Sequence, residues 1–477
     1  MDSHEHHTQS SSRGSVGVSR AAYEIEAEPA LHVRYEGDDT AVQAKFPDGF
    51  FPSFGSGLSF KAADADGGLA FFCLTDRGPN GDGPAVPAPV GPGAMDSKIF
   101  PAPGFTPSIG ILRVQGGRAW IDSVTPLQVA DGVRASGLPL PHGALGSSAE
   151  VPLFNSLAFS PQGKAGFNLA GIDPEAIAWD DKRGRLWIAD EYGPFLMRVD
   201  PATGLIEQRY GPGSGLPPVM ALRRANRGME GMTHDAASDR IHAFLQSPLS
   251  DGESYYALSG QQEKVEYFAR FTRWLEFNPA TGATVAMYAY PLDPNDFAQG
   301  RTGNAKLGDL VALGHGKFIV VEQGEGATGH MFNHLMLVEI GGASDIAGWG
   351  SELEKSSMSG APLGSADWSA VVTLKKTRLL DLNALGWVAE KAEGLALVDE
   401  RTLAMTNDND FGMKTRVLNA GGVVQQDADV TGFLADLAGT LVSGARPGDM
   451  VQIGRVDEKE RPLTLWLLRF DGPLAQY

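Results

Sequence analysis

The strongest constraint on the fold of this chain is a strand pattern that recurs five times along it. Each repeat has an alternating apolar segment, a short turn, and a second apolar segment that ends in a polar residue. The first segments begin at Ser56, Glu175, Glu230, Gly308 and Glu393, and the second segments end at Asp76, Asp190, Gln246, Glu322 and Asn407. A repeat of this kind is typical of the four-stranded blades of a β-propeller.

Third and fourth segments complete the pattern. Two of the turns between them are nearly identical, DPATG at residues 200–204 and NPATG at residues 278–282. The last third segment ends at Phe470, with too little chain left for a fourth strand. We therefore predict an all-β chain with a single β-propeller of five four-stranded blades, in which the N-terminal segment at residues 31–35 completes the last blade. A sixth blade within residues 128–170 is the alternative, and residues 1–20 are expected to be a disordered tail before a propeller domain at residues 21–477.

Composition narrows the classes of partner. The 477 residues carry 58 acidic and 39 basic side chains, a net charge of -19, which excludes nucleic acid as an expected partner and favours divalent cations. A single cysteine, Cys73, lies in an apolar run and allows neither an intrachain disulfide nor a cysteine-based zinc site. The sequence has no apolar run long enough to span a membrane. The N-terminus has no signal-peptide pattern, so localisation is open, and periplasmic or secreted if that N-terminus is a processed start.

Acidic residues concentrate on one predicted face of the propeller. In an up-and-down blade, the starts of first strands and the ends of second strands lie on the face that also carries the long insertions at 77–108, 128–172, 247–268, 293–305 and 409–462. Hard oxygen ligands without cysteine select calcium, magnesium or manganese. The predicted metal ligands are Glu175, Glu230, Asp309, Glu322, Glu393 and Asp408. Asp309 comes one place later than the glutamates it should match, and the competing interpretation is that several acids cap turns or pair with lysine and arginine.

Several of these segments together resemble a known family. They are DPEAIA at residues 173–178, RLWIADEYGP at 185–194, NRGMEG at 226–231, EGLA at 393–396 and NDNDFG at 407–412. In this order they are similar to the phytase-like family labelled "esterase-like activity of phytase", over about residues 56–412 and the final strand. The resemblance implies a β-propeller, usually in exported bacterial proteins, with calcium-dependent phosphoesterase or esterase activity.

The chemistry of the residues favours a metal-dependent phosphoesterase that acts on a small anionic ester. Cations held by carboxylates neutralise phosphate oxygens and activate water. Arg77, Arg227 and Lys306 are the predicted phosphate-binding residues, and Glu191, Arg77 and Asp408 are the predicted catalytic residues. A lactonase or carboxylesterase on the same scaffold, and a non-enzymatic binding platform with structural calcium, remain as alternatives.

Overall fold

The computed structural model describes residues 5–11, 14–154, 166–250, 255–257, 264–266, 268–358, 370–436 and 439–477. It is an all-β structure, as the sequence predicts. The α-helices among the described residues are short, Thr40–Lys45 and Glu352–Met358. The 3-10 helices are Pro29–Leu31, Pro218–Leu222, Pro294–Asp296, Ala298–Gly300, Thr302–Asn304, Asn383–Leu385, Asp410–Gly412, Val430–Gly432, Glu458–Glu460 and Leu474–Gln476. Within the described part of the chain, no helix is both long enough and apolar enough to cross a membrane.

Four antiparallel strands form each of the five repeat units, which we number in chain order by their first strands. The first unit contains Gly57–Ala63, Leu69–Leu74, Ser108–Gln115 and Arg118–Pro126; the second contains Pro174–Asp180, Arg185–Asp190, Phe195–Val199 and Ile206–Pro212, with Gly215–Leu216 at its edge. The third contains Met229–Asp235, Arg240–Leu245, Phe271–Asn278 and Ala283–Pro291; the fourth contains Leu310–Gly314, Lys317–Glu325, Met331–Glu339 and Lys375–Asp381. The fifth contains Ala392–Asp399, Thr402–Asn407, Thr464–Phe470 and the N-terminal strand Gly14–Glu26.

The first strands of the units surround one axis. Each contacts the first strand of the next unit, and the first strand of the fifth unit contacts that of the first, which closes the ring. Closure protects strand edges, as expected for a propeller. The first and fifth units also join into one nine-stranded sheet, because Ile25 and Glu26 pair in parallel with Ala119 and Trp120. The number of separate blades therefore stays a prediction.

The N-terminus differs in detail from the prediction. An N-terminal strand does lie beside Thr464–Phe470, with Ala21 opposite Leu467, but it is Gly14–Glu26 and not residues 31–35. The tail expected at residues 1–20 is wrong in its described part, because Glu5–Ser11 forms a further strand paired with Gly14–Glu26. The alternation in Gly14–Glu26 is hard to see in the sequence because small and polar residues interrupt it, although Val16 and Val18 are fully buried.

The long insertions build a second layer at one side of the ring, which we call the cap. It comprises a five-stranded sheet of Gly81–Pro87, Ala94–Ile99, Val151–Leu153, Leu434–Ala435 and Leu441–Ser443, the strand pair Met413–Leu418 and Met450–Arg455, and helix Thr40–Lys45. The remaining short strands are Gln128–Ala130, Val133–Arg134, Tyr255–Ala257 and Lys264–Glu266. The described residues of 128–170 thus contain only short strands.

The cap is packed as a small domain of its own. Val42, Phe50, Val86, Ile99 and Val451 are fully buried together in its core. Burial of this many large apolar side chains fixes the insertions relative to one another. The cap therefore gives the ring a fixed wall on the face where the acids were predicted.

Candidate functional site

A cavity of about 1020 Å³ lies between the ring and the cap. Glu175, Glu230 and Glu393 line it, and each follows the opening residue of a first strand, in the second, third and fifth units. In each case the pairing register shifts at this glutamate, which marks a β-bulge. A bulge adds an unpaired residue and redirects its side chain. Three units therefore direct a glutamate into one cavity.

The carboxylates form two overlapping groups that could each hold a metal ion. One contains Asp173, Glu175 and Glu191, and the other contains Glu175, Glu230 and Glu393, with one oxygen of each residue within 4.8 Å of the others. Glu191 Oε1 and Glu230 Oε2 are buried and have no hydrogen-bond partner among the described residues. Buried oxygens without donors are costly unless a cation binds them. The residues present therefore fit a hard divalent cation.

Burial and mutual repulsion dominate the electrostatics of these groups. Burial raises the pKa of Glu175 well above its ordinary value, and the neighbouring charges of Asp173 and Glu230 raise it further. Burial and the nearby Glu393 act in the same way on the pKa of Glu230. For Glu191, burial and Asp173 raise the pKa to about 7, although nearby arginines oppose the shift. Without a cation, this cluster is strained at neutral pH.

We expect ionisation of this cluster to make the metal-free protein less stable as the pH rises from about 5 to about 8. A carboxyl whose folded-state pKa is raised contributes its full stability below the unfolded-state pKa of about 4.5, and this stability is lost as the pH rises through the folded-state pKa. A cation binds the ionised form, so added calcium should stabilise the protein more at about pH 8 than at about pH 5. Calcium at 100 times its Kd adds about 2.7 kcal/mol to the free energy of unfolding.

Thermal unfolding in chelator and in calcium, at both pH values, measures this difference. Sodium chloride at matched ionic strength is the control, and it should not reproduce the effect of calcium. A calcium-induced rise in Tm that is equal at both pH values would contradict the linkage.

Asp309, a predicted metal ligand, does not line the cavity. It is 1% exposed, and its carboxylate accepts backbone N–H bonds from Met232 at 3.0 Å, Leu310 at 2.8 Å and Leu395 at 3.2 Å, with a further bond from the backbone of Leu58. These donors belong to the first strands of the third, fourth, fifth and first units. Asp309 therefore joins four first strands around the axis, and its assignment as a metal ligand is wrong.

The reason is the one-residue offset already visible in the sequence. Gly308, not Asp309, matches the glutamates of the other units, and a Cβ at Gly308 would lie 2.4 Å from the carbonyl oxygen of Ala392. The close approach of the chains excludes a side chain there. The fourth unit thus has no acid at the position that faces the cavity.

Glu322 is likewise misplaced as a metal ligand. Its strand continues to Glu325, so Glu322 is not at the strand end that the pattern predicted. Its Oε2 accepts hydrogen bonds from the Tyr290 hydroxyl and, at 2.6 Å, from Lys376 Nζ, and it does not line the cavity. Glu322 therefore lies apart from Glu175, Glu230 and Glu393, in contrast to the prediction that all four are metal ligands on one face.

Asp408 lines the cavity, but its oxygens already have partners. Ser53 Oγ donates to Oδ1 at 2.8 Å, and Lys391 Nζ donates to Oδ2 at 2.7 Å. Burial acts to raise the pKa of Asp408, but the Lys391 ammonium and the hydrogen bonds outweigh it and lower the pKa to about 2. So acidic a group is a weak general base. Asp408 also lies outside both carboxylate groups, which argues against its predicted roles as base and ligand.

Arg77 has a setting different from the predicted one. Its side chain is 4% exposed, and its Nη1 donates to Glu150 at 3.1 Å, its Nη2 donates to Asn226 at 2.6 Å, and its Nε lies 3.4 Å from Asp173 Oδ2. Its guanidinium is therefore committed to protein groups. Arg77 holds Asp173 in place and is not free to bind a phosphate, in contrast to the prediction.

The two other predicted substrate-binding residues line the cavity as expected from their positions. Arg227 Nη1 donates to Gln246 Oε1 at 2.7 Å, its Nε is buried without a hydrogen-bond partner, and it has no ion pair among the described residues. Lys306 Nζ donates to Glu390 Oε1 at 3.0 Å. Arg227 is thus the freer of the two cations.

Sequence reasoning missed several residues that the cavity brings together. Asp173 is a member of a carboxylate group, and Gln246 bonds both Arg227 and Glu230. Lys391, in contrast, is one of the lysines expected to pair with the acids, and it lies 2.7 Å from Asp408, 2.9 Å from Asp410 and 4.0 Å from Glu393. Asp173 precedes the bulged Glu175 by two residues, a spacing that places it at the strand entrance.

Comparisons with known proteins point to one family. A sequence model of the phytase-like family, described as esterase-like activity of phytase, matches residues 95–411, more than half of the chain. None of the curated proteins matches.

Solved structures show only distant likeness. The catalytic domain of Coprinopsis cinerea GH62 α-L-arabinofuranosidase is 10% identical, over 95% of this chain and 98% of that chain, with a TM-score of 0.33. The β-1,2-mannobiose phosphorylase from Listeria innocua is 12% identical, over 81% and 93%, with a TM-score of 0.35. A protein of unknown function from Dyadobacter fermentans is 8% identical, over 86% and 75%, with a TM-score of 0.30. These low scores support no conclusion about the activity of this chain.

Proposed function

The chain belongs to the phytase-like family described as esterase-like activity of phytase, and on that premise we propose that it is a metal-dependent phosphoesterase that acts in the carboxylate-lined cavity. One observation carries the proposal. Two carboxylate groups share Glu175, contain buried oxygens without donors, and lie in the same cavity as the unpaired Arg227. An acid cluster alone would repel an anionic substrate, so cation binding is needed for substrate binding as well.

Asp173, Glu175, Glu230 and Glu393 are the residues that would hold the cation, which leaves Glu191, beside Asp173 and Glu175, to act as the base. Calcium is our first choice because several carboxylates converge on one place, whereas magnesium is usually held by one or two carboxylates and keeps several waters; manganese or magnesium is the alternative. When bound, a divalent cation neutralises phosphoryl oxygens and lowers the pKa of a water ligand. Lys391 is placed to keep Glu393 fixed through its contacts with Asp408 and Asp410.

The side chains of this protein supply the remaining roles. Arg227 binds a nonbridging phosphate oxygen through its guanidinium, whereas the charge of Lys306 is largely taken up by its ion pair with Glu390. Water forms a new O–P bond and gives a proton to Glu191, whose free Oε1 makes it a better base than Asp408. The ester oxygen leaves with the bonding electron pair and takes a proton from solvent, while Glu191 returns its proton to solvent.

Metal analysis together with a substrate panel tests this function. Phosphomonoester, diester and triester substrates and a lactone are assayed before and after chelation and after calcium is restored. We expect phosphate-ester hydrolysis that chelation removes and calcium restores. Hydrolysis of the lactone alone would replace the proposal with a lactonase or carboxylesterase, and bound metal without any hydrolysis would indicate a binding platform.

Arg227→Ala is expected to retain metal but bind substrate less well. Loss of a charge-assisted hydrogen bond costs about 1.5–3 kcal/mol, so KM should rise by about tenfold to a hundredfold. Metal titration and steady-state kinetics separate the two effects. Arg113→Ala, which removes an exposed arginine paired with Asp64, is the matched control and should leave metal affinity and KM unchanged. An unchanged KM in Arg227→Ala would remove this residue from the substrate site.

A further inference from the structure

Most basic side chains of the cavity are already neutralised by acids. The pairs are Lys98 with Asp82, Lys306 with Glu390 at 3.0 Å, Lys391 with Asp408 at 2.7 Å, Arg77 with Glu150 at 3.1 Å and Lys459 with Glu460 at 3.7 Å. Among the described lining residues, Arg227 and the exposed Lys414 are the cations without an ion pair. Protein cations therefore offer little free positive charge for a substrate.

This shortage of free positive charge favours phosphate esters with fewer negative charges. A phosphomonoester has a second pKa near 6 and carries almost two negative charges at neutral pH. A phosphodiester carries one. In a cavity where acids outnumber bases, a doubly charged ester meets more repulsion than a singly charged one.

Part of the cavity lining is apolar, namely Met331, Trp387, Val388 and Ala389, which we call the apolar wall. Trp387 and Ala389 are mostly buried in the core, whereas Val388 is 60% exposed. Hydrogen bonds hold the backbone on both sides of Val388: Asn383 Nδ2 donates to the Trp387 carbonyl at 3.4 Å, and Asn333 Nδ2 donates to the Glu390 carbonyl at 3.1 Å. Core packing does not account for an exposed valine that a fixed segment presents to a charged cavity. An apolar group of a ligand would bury it.

Resting on the proposed phosphoesterase function, we infer that the substrate is a phosphodiester with one apolar alcohol group, which binds against Val388 and Met331. Arg227 and the cation site neutralise the single negative charge of the diester. Water adds to phosphorus, the other ester oxygen leaves as the alcohol, and the product is the phosphomonoester of the apolar alcohol. The greater charge of that product favours its release from the acidic cavity.

Three substrates with the same leaving group test the inference on the metal-loaded full chain. They are phenyl 4-nitrophenyl phosphate, methyl 4-nitrophenyl phosphate and 4-nitrophenyl phosphate. We expect kcat/KM to fall in that order, by about tenfold from the phenyl to the methyl diester, the size expected for burial of an aromatic ring. The monoester should be the poorest substrate.

Val388→Asp should remove the preference for the phenyl over the methyl diester and leave metal content unchanged. Val423→Asp is the matched control, since Val423 is 61% exposed and does not line the cavity. A metal-dependent preference for the monoester would overturn this inference and leave the phosphoesterase proposal standing. An unchanged phenyl preference in Val388→Asp would overturn the apolar wall, whereas no hydrolysis of any of the three by metal-loaded protein would overturn the proposed function itself.

Discussion

Glu175→Gln is expected to lower hydrolytic activity by about 100-fold or more and to weaken divalent metal binding together with it. Glu175 is the residue that the two carboxylate groups share, so its loss affects both. A neutral amide is a weaker ligand for a hard cation than a carboxylate, and even residues that only support metal ligands cost about 10-fold to 100-fold when replaced. Metal titration and steady-state kinetics on the purified variant measure both losses.

The same substitution carries an internal check. Removing one ionised carboxylate relieves repulsion, so the chelated Glu175→Gln protein should be at least as stable as the chelated parent at about pH 8. Glu207→Gln, in the outer strand of the second unit, is the control for loss of a carboxylate, because Glu207 pairs with Arg185 and Arg198 away from the cavity. Wild-type metal affinity in Glu175→Gln would show that the cluster is not the metal site.

The repeat made much of the fold predictable. Strand alternation and turn spacing located the first strands, and topology then placed Glu175, Glu230 and Glu393 at one end of the ring. What the pattern could not provide was register. The β-bulges that direct these glutamates into the cavity have no distinctive residue, and they explain why Glu175 and its counterparts face inward while Asp309, one place later, does not.

The wrong site assignments share a physical cause, which is that a charged residue near a site finds partners from distant parts of the chain. Arg77 meets Glu150, Lys376 meets Glu322, and each pair joins segments more than 50 residues apart. Sequence spacing cannot show such pairing. The cap is a similar case, since its sheet combines strands from the insertions at 77–108, 128–172 and 409–462, which the sequence presents as separate loops.

Asp309→Asn is expected to destabilise the whole fold by about 3–5 kcal/mol. The side chain keeps its size, but one of its two terminal atoms becomes an N–H donor that faces backbone N–H groups of other units. At least one buried donor then loses its acceptor, at about 1–3 kcal/mol each, and the new N–H group repels the backbone N–H groups that it faces. Denaturant unfolding of the metal-free protein measures the change, since chelation separates it from the stability that a cation adds.

Asp200→Asn is the matched control, because Asp200 caps a turn at the periphery by accepting the backbone N–H of Ala202 at 2.8 Å, and its loss should cost no more than about 1 kcal/mol. If Asp309→Asn unfolds at the same denaturant concentration as the parent, the carboxylate does not hold the ring. If Asp309→Asn destabilises the protein equally with and without calcium, the ring has two separate sets of carboxylates. Asp309 is hydrogen-bonded to the backbone and structural, whereas the cavity glutamates are short of donors and available to a cation. That separation explains how a ring so rich in acids stays folded while part of it remains open to bind metal.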